Sequence, residues 1–108
     1  MEGIAMSYDL NRAYIQVSDM PIFEAFKGAP VAGHLIVRAC ELSNREYGHR
    51  HQKLAKSNNM KHPPSADRIF AGYLVVRNID TPTQYETWMP GHVFEDLYRP
   101  AKAARGAA

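Results

Sequence analysis

The sequence predicts an α+β fold, a small antiparallel sheet of about three to four strands packed with short helices. Three observations predict it. Two runs, VAGHLIVRACEL (31–42) and FAGYLVVRNI (70–79), are rich in β-branched and apolar residues. The second run is followed by a turn-forming DTPT and another extended run, the form of a hairpin. The helix signals between and after these runs are too short to be stable without a sheet to dock on.

The elements follow in order. AYIQVS (13–18) alternates apolar and polar residues, which predicts a short strand. SDMPIFEAFKGAP (18–30) predicts a helix of about two turns: Ser18 or Asp19 can cap it, Pro21 is tolerated in a first turn, and Gly28 and Pro30 end it. Ile22, Phe23 and Phe26 would share its buried face. In the strand 31–42, Leu35, Val37 and Ala39 make the core face, with His34, Ile36, Arg38 and Cys40 opposite. SNRE (43–46) has the form of a capping box, and the helix it starts is expected to fray near Gly48.

AKSNNMKHPPSAD (55–67) reads as loop, because its Asn and Pro pairs break regular structure. The strand 70–79, the turn 80–83 and the strand QYETW (84–88) follow. PGHVFEDLYR (90–99) predicts a closing helix with Pro90 in its first position. Val93, Phe94, Leu97 and Tyr98 give it one apolar stripe that must dock on the sheet, with Trp88 mostly buried beside it. One compact domain over 1–100 and a flexible tail over 101–108 are expected.

The chain has 108 residues, 45% hydrophobic and 22% charged, the size and composition of a single globular domain. Its apolar runs are far shorter than a membrane span. MEGIAMSYDL lacks the basic start and apolar core of a secretory signal. Cys40, the single cysteine, has no internal disulfide partner. A cytoplasmic location is the expectation.

No catalytic constellation is legible. The glycines are scattered and read as element boundaries, not as a phosphate-cradling loop. Cys40 lies in a strand with no helix start beside it to activate a thiolate. His34, His49, His51, His62, His92 and Cys40 do not have the spacing of a structural zinc site. The expectation is a protein that is not an enzyme and carries no metal or cofactor.

Charge is unevenly spread. Between Arg45 and Arg68 there are six Lys or Arg against two acidic residues, a balance of +4 in a chain whose net charge is +2. Three of the five histidines, His49, His51 and His62, lie in the same section. A solvated basic loop would look the same, but clustering of cations in an irregular segment points to an anionic partner. The candidate ligand-binding residues are Arg45, His49, Arg50, His51 and Lys53, flanked by Tyr47 or Tyr73. Arginine forks suit phosphate and carboxylate equally.

The C-terminal third resembles a group of small, uncharacterised phage and prophage proteins. These have a GYLV strand, a short hairpin and a W-x-P-x-x-V-F-x-x-x-Y-x-P ending. The matching positions are Gly72, Tyr73, Leu74, Val75, Tyr85, Trp88, Pro90, Val93, Phe94, Tyr98 and Pro100. VRACELSNREYGHRH upstream is similar to the group's strand, polar turn and helix. The likeness covers about residues 36 to 100. It implies a phage or prophage origin and no established activity. In some phage proteins such a segment adjoins a small domain of the kind that sequesters cyclic ADP-ribose-type immune signals, which implies host counter-defence. Two departures stand out. Met89 occupies the position of a helix-capping Ser, which should weaken the helix start by about 1 kcal/mol unless another group replaces it. The basic section 49–68 stands where the group is acidic.

The expected function is therefore a phage accessory protein, in the host bacterial cytoplasm, binding an anionic nucleotide-type ligand. The alternatives are a protein-binding inhibitor of a host factor and a nucleic-acid accessory protein. The second is disfavoured by the scarcity of aromatic residues in the basic section. A symmetric homodimer would cover an exposed sheet edge.

Overall fold

The computed structural model describes residues 12–26, 36–64 and 67–101. Five strands form one antiparallel sheet: β1 (Ile22–Ala25), β2 (Ile36–Glu41), β3 (Gly72–Arg77), β4 (Tyr85–Pro90) and β5 (Tyr98–Pro100). Their order across the sheet is β4-β3-β2-β1-β5. Two helices, α1 (Asn44–Leu54) and α2 (Gly91–Leu97), complete an α+β fold. The class is the expected one, and the sheet is larger than the expected three to four strands.

Register decides which residues are buried. Cys40, Leu74 and Trp88 are cross-strand neighbours and share one face with Val76 and Glu86. Ala39, Val75 and Thr87 lie on the other with Val37. Both faces are covered. On the first, α1 and the N-terminal segment enclose Met20, Leu42, Tyr47, Leu74 and Val76. On the second, Phe94 of α2 packs with Val37, Ala39 and Val75 and with Tyr98 of the edge strand β5. The core face expected around Val37 and Ala39 is thus one of two, and Cys40 packs against the other core.

Phe94 centres the second core. Its ring stacks on Tyr73 at 4.2 Å and on Tyr98 at 5.1 Å, and meets Phe23 edge-on at 5.0 Å. Of the expected stripe, Phe94 and Leu97 dock from the closing helix, while Tyr98 reaches the same core from β5 and Val93 is not part of it. Trp88 is partly buried, and its indole N–H donates to the Leu42 carbonyl at 2.8 Å. A Cβ on Gly72 would overlap that indole and the Met89 carbonyl, so this position admits only glycine without a shift.

Several elements differ from expectation. Residues 13–18 are not a strand but parts of two 3-10 turns, Arg12–Tyr14 and Val17–Asp19. The Ala13 and Ile15 carbonyls accept from the Arg50 guanidinium, not from a neighbouring strand. The helix expected over 18–30 is replaced by β1. Ile22, Phe23 and Glu24 pair with β2, and Phe23, Glu24 and Ala25 pair with β5. Pairing on both sides satisfies the backbone and overrides a weak local helix signal. The expected stop at Gly28 and Pro30, and the start of the strand 31–42 with His34 and Leu35, lie outside the described residues.

The capping box is present. Ser43 Oγ accepts from the Glu46 N–H at 3.1 Å, and Glu46 Oε1 accepts from the Ser43 N–H at 2.7 Å. The helix does not fray at Gly48 but runs on to Leu54. Burial of Tyr47 and Arg50 on either side of the glycine holds it.

The segment after α1 is tied down more than a free loop. Met60 bridges Glu86 in parallel. The Glu86 N–H donates to the Asn59 carbonyl and the Lys61 N–H to the Glu86 carbonyl, each at 2.8 Å. This covers part of the outer edge of β4. The turn after β3 begins at Asn78, earlier than expected, with Asn78 and Asp80 in left-handed conformations at φ of 54° and 62°. Asn and Asp tolerate that region better than other non-glycine residues.

The closing helix starts at Gly91, with Pro90 as its N-cap, and ends at Leu97 because Tyr98–Pro100 form β5. No side chain caps it. The Gly91 N–H donates to the Ala71 carbonyl at 3.1 Å, which replaces the missing serine cap. Ala101 is buried, and its N–H donates to the Ile22 carbonyl at 3.0 Å. Ala101 is therefore not part of a loose tail, and the rest of the expected tail, 102–108, lies outside the described residues.

Candidate functional site

The capping box fixes where α1 begins, and this fixes which side chains share a face. Arg45 and His49 are one turn apart on α1. His51 follows where the helix meets the returning segment 62–64. His62 comes back from that segment, and its ring lies 5.0 Å from the His51 ring. Together with Pro63 and Gly48 these residues line an open groove with a volume of about 400 Å³. A Cβ on Gly48 would meet nothing within 4 Å, so the missing side chain leaves the groove open at its helix wall.

Polar groups orient the lining. His49 Nε2 shares a hydrogen bond of 3.1 Å with the Tyr14 hydroxyl, and the two rings meet edge-on. The exposed Arg45 guanidinium makes one long bond, 3.3 Å, to the Asp67 carbonyl. The other N–H groups of Arg45 remain available to a ligand, and imidazole nitrogens can donate alongside them. The groove can hold an anion by hydrogen bonds and charge. Among the described residues, no group of three or more His, Cys, Asp or Glu is arranged to hold a metal ion.

The structure divides the seven candidate residues. Arg45, His49 and His51 line the groove. Lys53 is exposed on α1 outside it. Arg50 is only 1% exposed and grips Glu86, itself 2% exposed, with a bidentate pair at 2.7 and 3.0 Å. Its Nη1 donates to the Ala13 and Ile15 carbonyls at 2.9 and 2.6 Å. Asn58 adds a bond of 3.0 Å to Glu86. Arg50 is thus a core residue that ties α1, β4 and the N-terminal segment together. Arg50 is therefore not one of the solvated cations of an irregular segment. Charge reversal at Arg50 would unfold the domain, because it would leave Glu86 buried against a second carboxylate.

Tyr47 is also buried. Its hydroxyl donates to the Lys61 and Glu86 carbonyls, and burial, reinforced by the Glu86 charge, pushes its pKa well up. It packs in the first core and does not line the groove. Tyr73 belongs to the opposite face of the sheet, stacked on Phe94, with its hydroxyl donating to Glu95 at 2.8 Å. It is remote from the basic groove. His62 was visible as part of the histidine-rich section, but nothing local signals that the Pro63-Pro64 segment folds it back onto α1.

Cys40 is half-buried against the first core, and burial pushes its thiol up to about 11. A thiol so protonated is a poor nucleophile near neutrality. No helix among the described residues is long and apolar enough to cross a membrane. Comparison with protein-family models, with curated proteins and with solved structures gives no match.

Proposed function

We propose that the chain is a non-catalytic binding protein, an accessory protein of phage or prophage origin that holds a host-derived anionic ligand of nucleotide type in counter-defence, in the bacterial host's cytoplasm. The origin and the counter-defence role rest on the sequence resemblance. The ligand class rests on one observation. Arg45, His49 and His51 of α1 converge with His62 of a separate segment on one open groove of about 400 Å³. That volume falls within the range of small-ligand sites. A guanidinium fork and imidazole donors suit the oxygen atoms of a phosphate.

The test is thermal unfolding with ADP-ribose and cyclic ADP-ribose, on the wild type and two variants. Arg45→Glu reverses the charge at an exposed position. Gly48→Leu fills the groove from a position with open space around it. Neither should lower the melting temperature of the unliganded protein by more than a few degrees. The wild type should show a saturable rise in melting temperature, and both variants should lose it. Absence of a shift at millimolar ligand, or a full shift in both variants, would overturn the reading. Binding that instead falls steeply with salt and requires an oligonucleotide would favour a nucleic-acid partner.

A further inference from the structure

The groove between α1 and residues 62–64 brings two imidazoles together. The His51 and His62 rings lie 5.0 Å apart, centroid to centroid, and are tilted by 40°. His51 comes from the last turn of α1 and is half-buried, while His62 is exposed on the returning segment. His49 differs from both, because its Nε2 is already joined to the Tyr14 hydroxyl. Among the described residues neither the His51 nor the His62 side chain takes part in a hydrogen bond or an ion pair. The pair is therefore held by shape, with its ring nitrogens open to the groove's contents.

The charges around the pair are of one sign. Arg45, His49 and His51 line the groove from α1, and His62 lines it from the returning segment. No Asp or Glu is among the described lining residues. Tyr47 lies beside His51, ring centroids 6.4 Å apart, with its hydroxyl committed to backbone carbonyls. Lys61 places its ammonium over the Tyr85 ring at 5.2 Å, and Lys53 is exposed outside the groove. Asp67 meets Arg45 through its backbone carbonyl and does not line the groove. Glu86 of β4 has its carboxylate taken by Arg50 and Asn58. A proton added to one ring therefore meets the other ring and Arg45, with only the carbonyl end of α1 to favour it. An anion lying between the rings offsets that repulsion.

We infer that the groove couples anion capture to proton uptake, with His51 and His62 taking up protons as the anion enters and releasing them as it leaves. The inference rests on the reading of this groove as the anion site and adds its regulation. The coupling is reciprocal: an anion that favours the protonated rings is itself held more tightly where those rings are protonated. Imidazole changes charge between about pH 5 and about pH 8. Affinity is therefore highest at the acid end of that window and falls as pH rises through it. Arg45 keeps its charge throughout, so it supplies the part of the binding that does not depend on pH.

Affinities for ADP-ribose and for inorganic sulfate at about pH 5.5 and about pH 8 test the coupling. Neither probe gains or loses a proton across this range, since disubstituted phosphates lack the second ionisation of a monoester, so a pH dependence belongs to the protein. ADP-ribose is followed by calorimetry in two buffers of different ionisation enthalpy, which counts the protons taken up. Sulfate, the weaker probe, is followed by the Gly48 and His62 amide shifts. Each should bind roughly tenfold or more tightly at the lower pH, and ADP-ribose with net proton uptake. His51→Gln and the exposed His62→Gln should each reduce that ratio to less than about threefold. His92→Gln, exposed on α2, should leave the ratio intact, which separates the pair from a general rise in protein charge. Proton-linked binding of sulfate without binding of ADP-ribose would remove the nucleotide reading and leave the coupling standing. Equal affinity at both pH values, binding without proton uptake, the full ratio retained in both His51→Gln and His62→Gln, or no binding of either probe would overturn the coupling.

Discussion

Arg50 brings a full charge into a small core, and the cost is offset only because every part of its guanidinium is used. Two contacts go to Glu86 and two to backbone carbonyls. Removing one partner strands the other in a low-dielectric interior. Arg50→Ala should therefore destabilise by about 3–5 kcal/mol in urea unfolding, whereas Arg50→Met with Glu86→Leu should cost much less than either truncation alone. Equal costs for the single and double changes would show that the pair is not the source of the effect. Cys40 makes a second prediction at this scale. Its folded-state thiol is raised to about 11 from an ordinary 9.0, so it favours folding fully below pH 9, and that contribution is lost as pH rises through about 11. Alkylation by iodoacetamide at pH 8 should be much slower in the folded protein than in urea. Equal rates would contradict the burial.

Arg50 was misread from sequence because a cation among cations looks solvated. The signal that could have corrected it lies elsewhere. Glu86 alternates with Trp88 and so occupies an inward position of its strand. A carboxylate at such a position requires a buried partner, and Arg50 on the neighbouring helix provides it.

At the scale of elements, α1 shows both what local sequence decides and what it does not. The Ser43–Glu46 box was legible because it depends on residues three apart. Ser43→Ala should cost about 1 kcal/mol. The helix passes through Gly48 because tertiary burial on both sides holds it, which no local rule contains. Gly48→Ala should stabilise by about 0.5–1 kcal/mol, since the methyl meets no neighbour and alanine is the better helix former. A loss of stability would mean that the glycine serves the backbone and not the groove. The closing helix was legible for the same reason as the capping box: its stripe repeats at helical spacing. Phe94→Ala should cost about 3–5 kcal/mol, a large part of the stability of a domain this size. A change below about 1 kcal/mol would contradict its place at the centre of the aromatic stack. β1 was illegible because both of its hydrogen-bonding partners are distant in sequence. One of them, β5, was itself hidden inside the expected closing helix.

At the scale of the molecule, one sheet is covered on both faces, by α1 with the N-terminal segment on one side and by α2 on the other. The class was legible from two β-prone runs and a hairpin turn. The layering was not, because it depends on how residues 12–20 are held by Arg50. The two outer strands are also protected. Asn59–Lys61 bonds to β4, and β5 has three residues and ends in proline. Part of the open edge that argued for a symmetric dimer is thus covered, and light scattering should give a monomer mass. A stable dimer mass would point to an interface elsewhere.

The groove between α1 and residues 62–64 is where the fold and the proposed function meet. Its occupancy can be read directly from the ring carbon and nitrogen signals of His49, His51 and His62 in heteronuclear NMR during titration with ADP-ribose. Saturable shifts of all three rings, lost in Arg45→Glu and in Gly48→Leu, are the expected result. Rings that remain unmoved at millimolar ADP-ribose, or that move equally in both variants, would contradict the account.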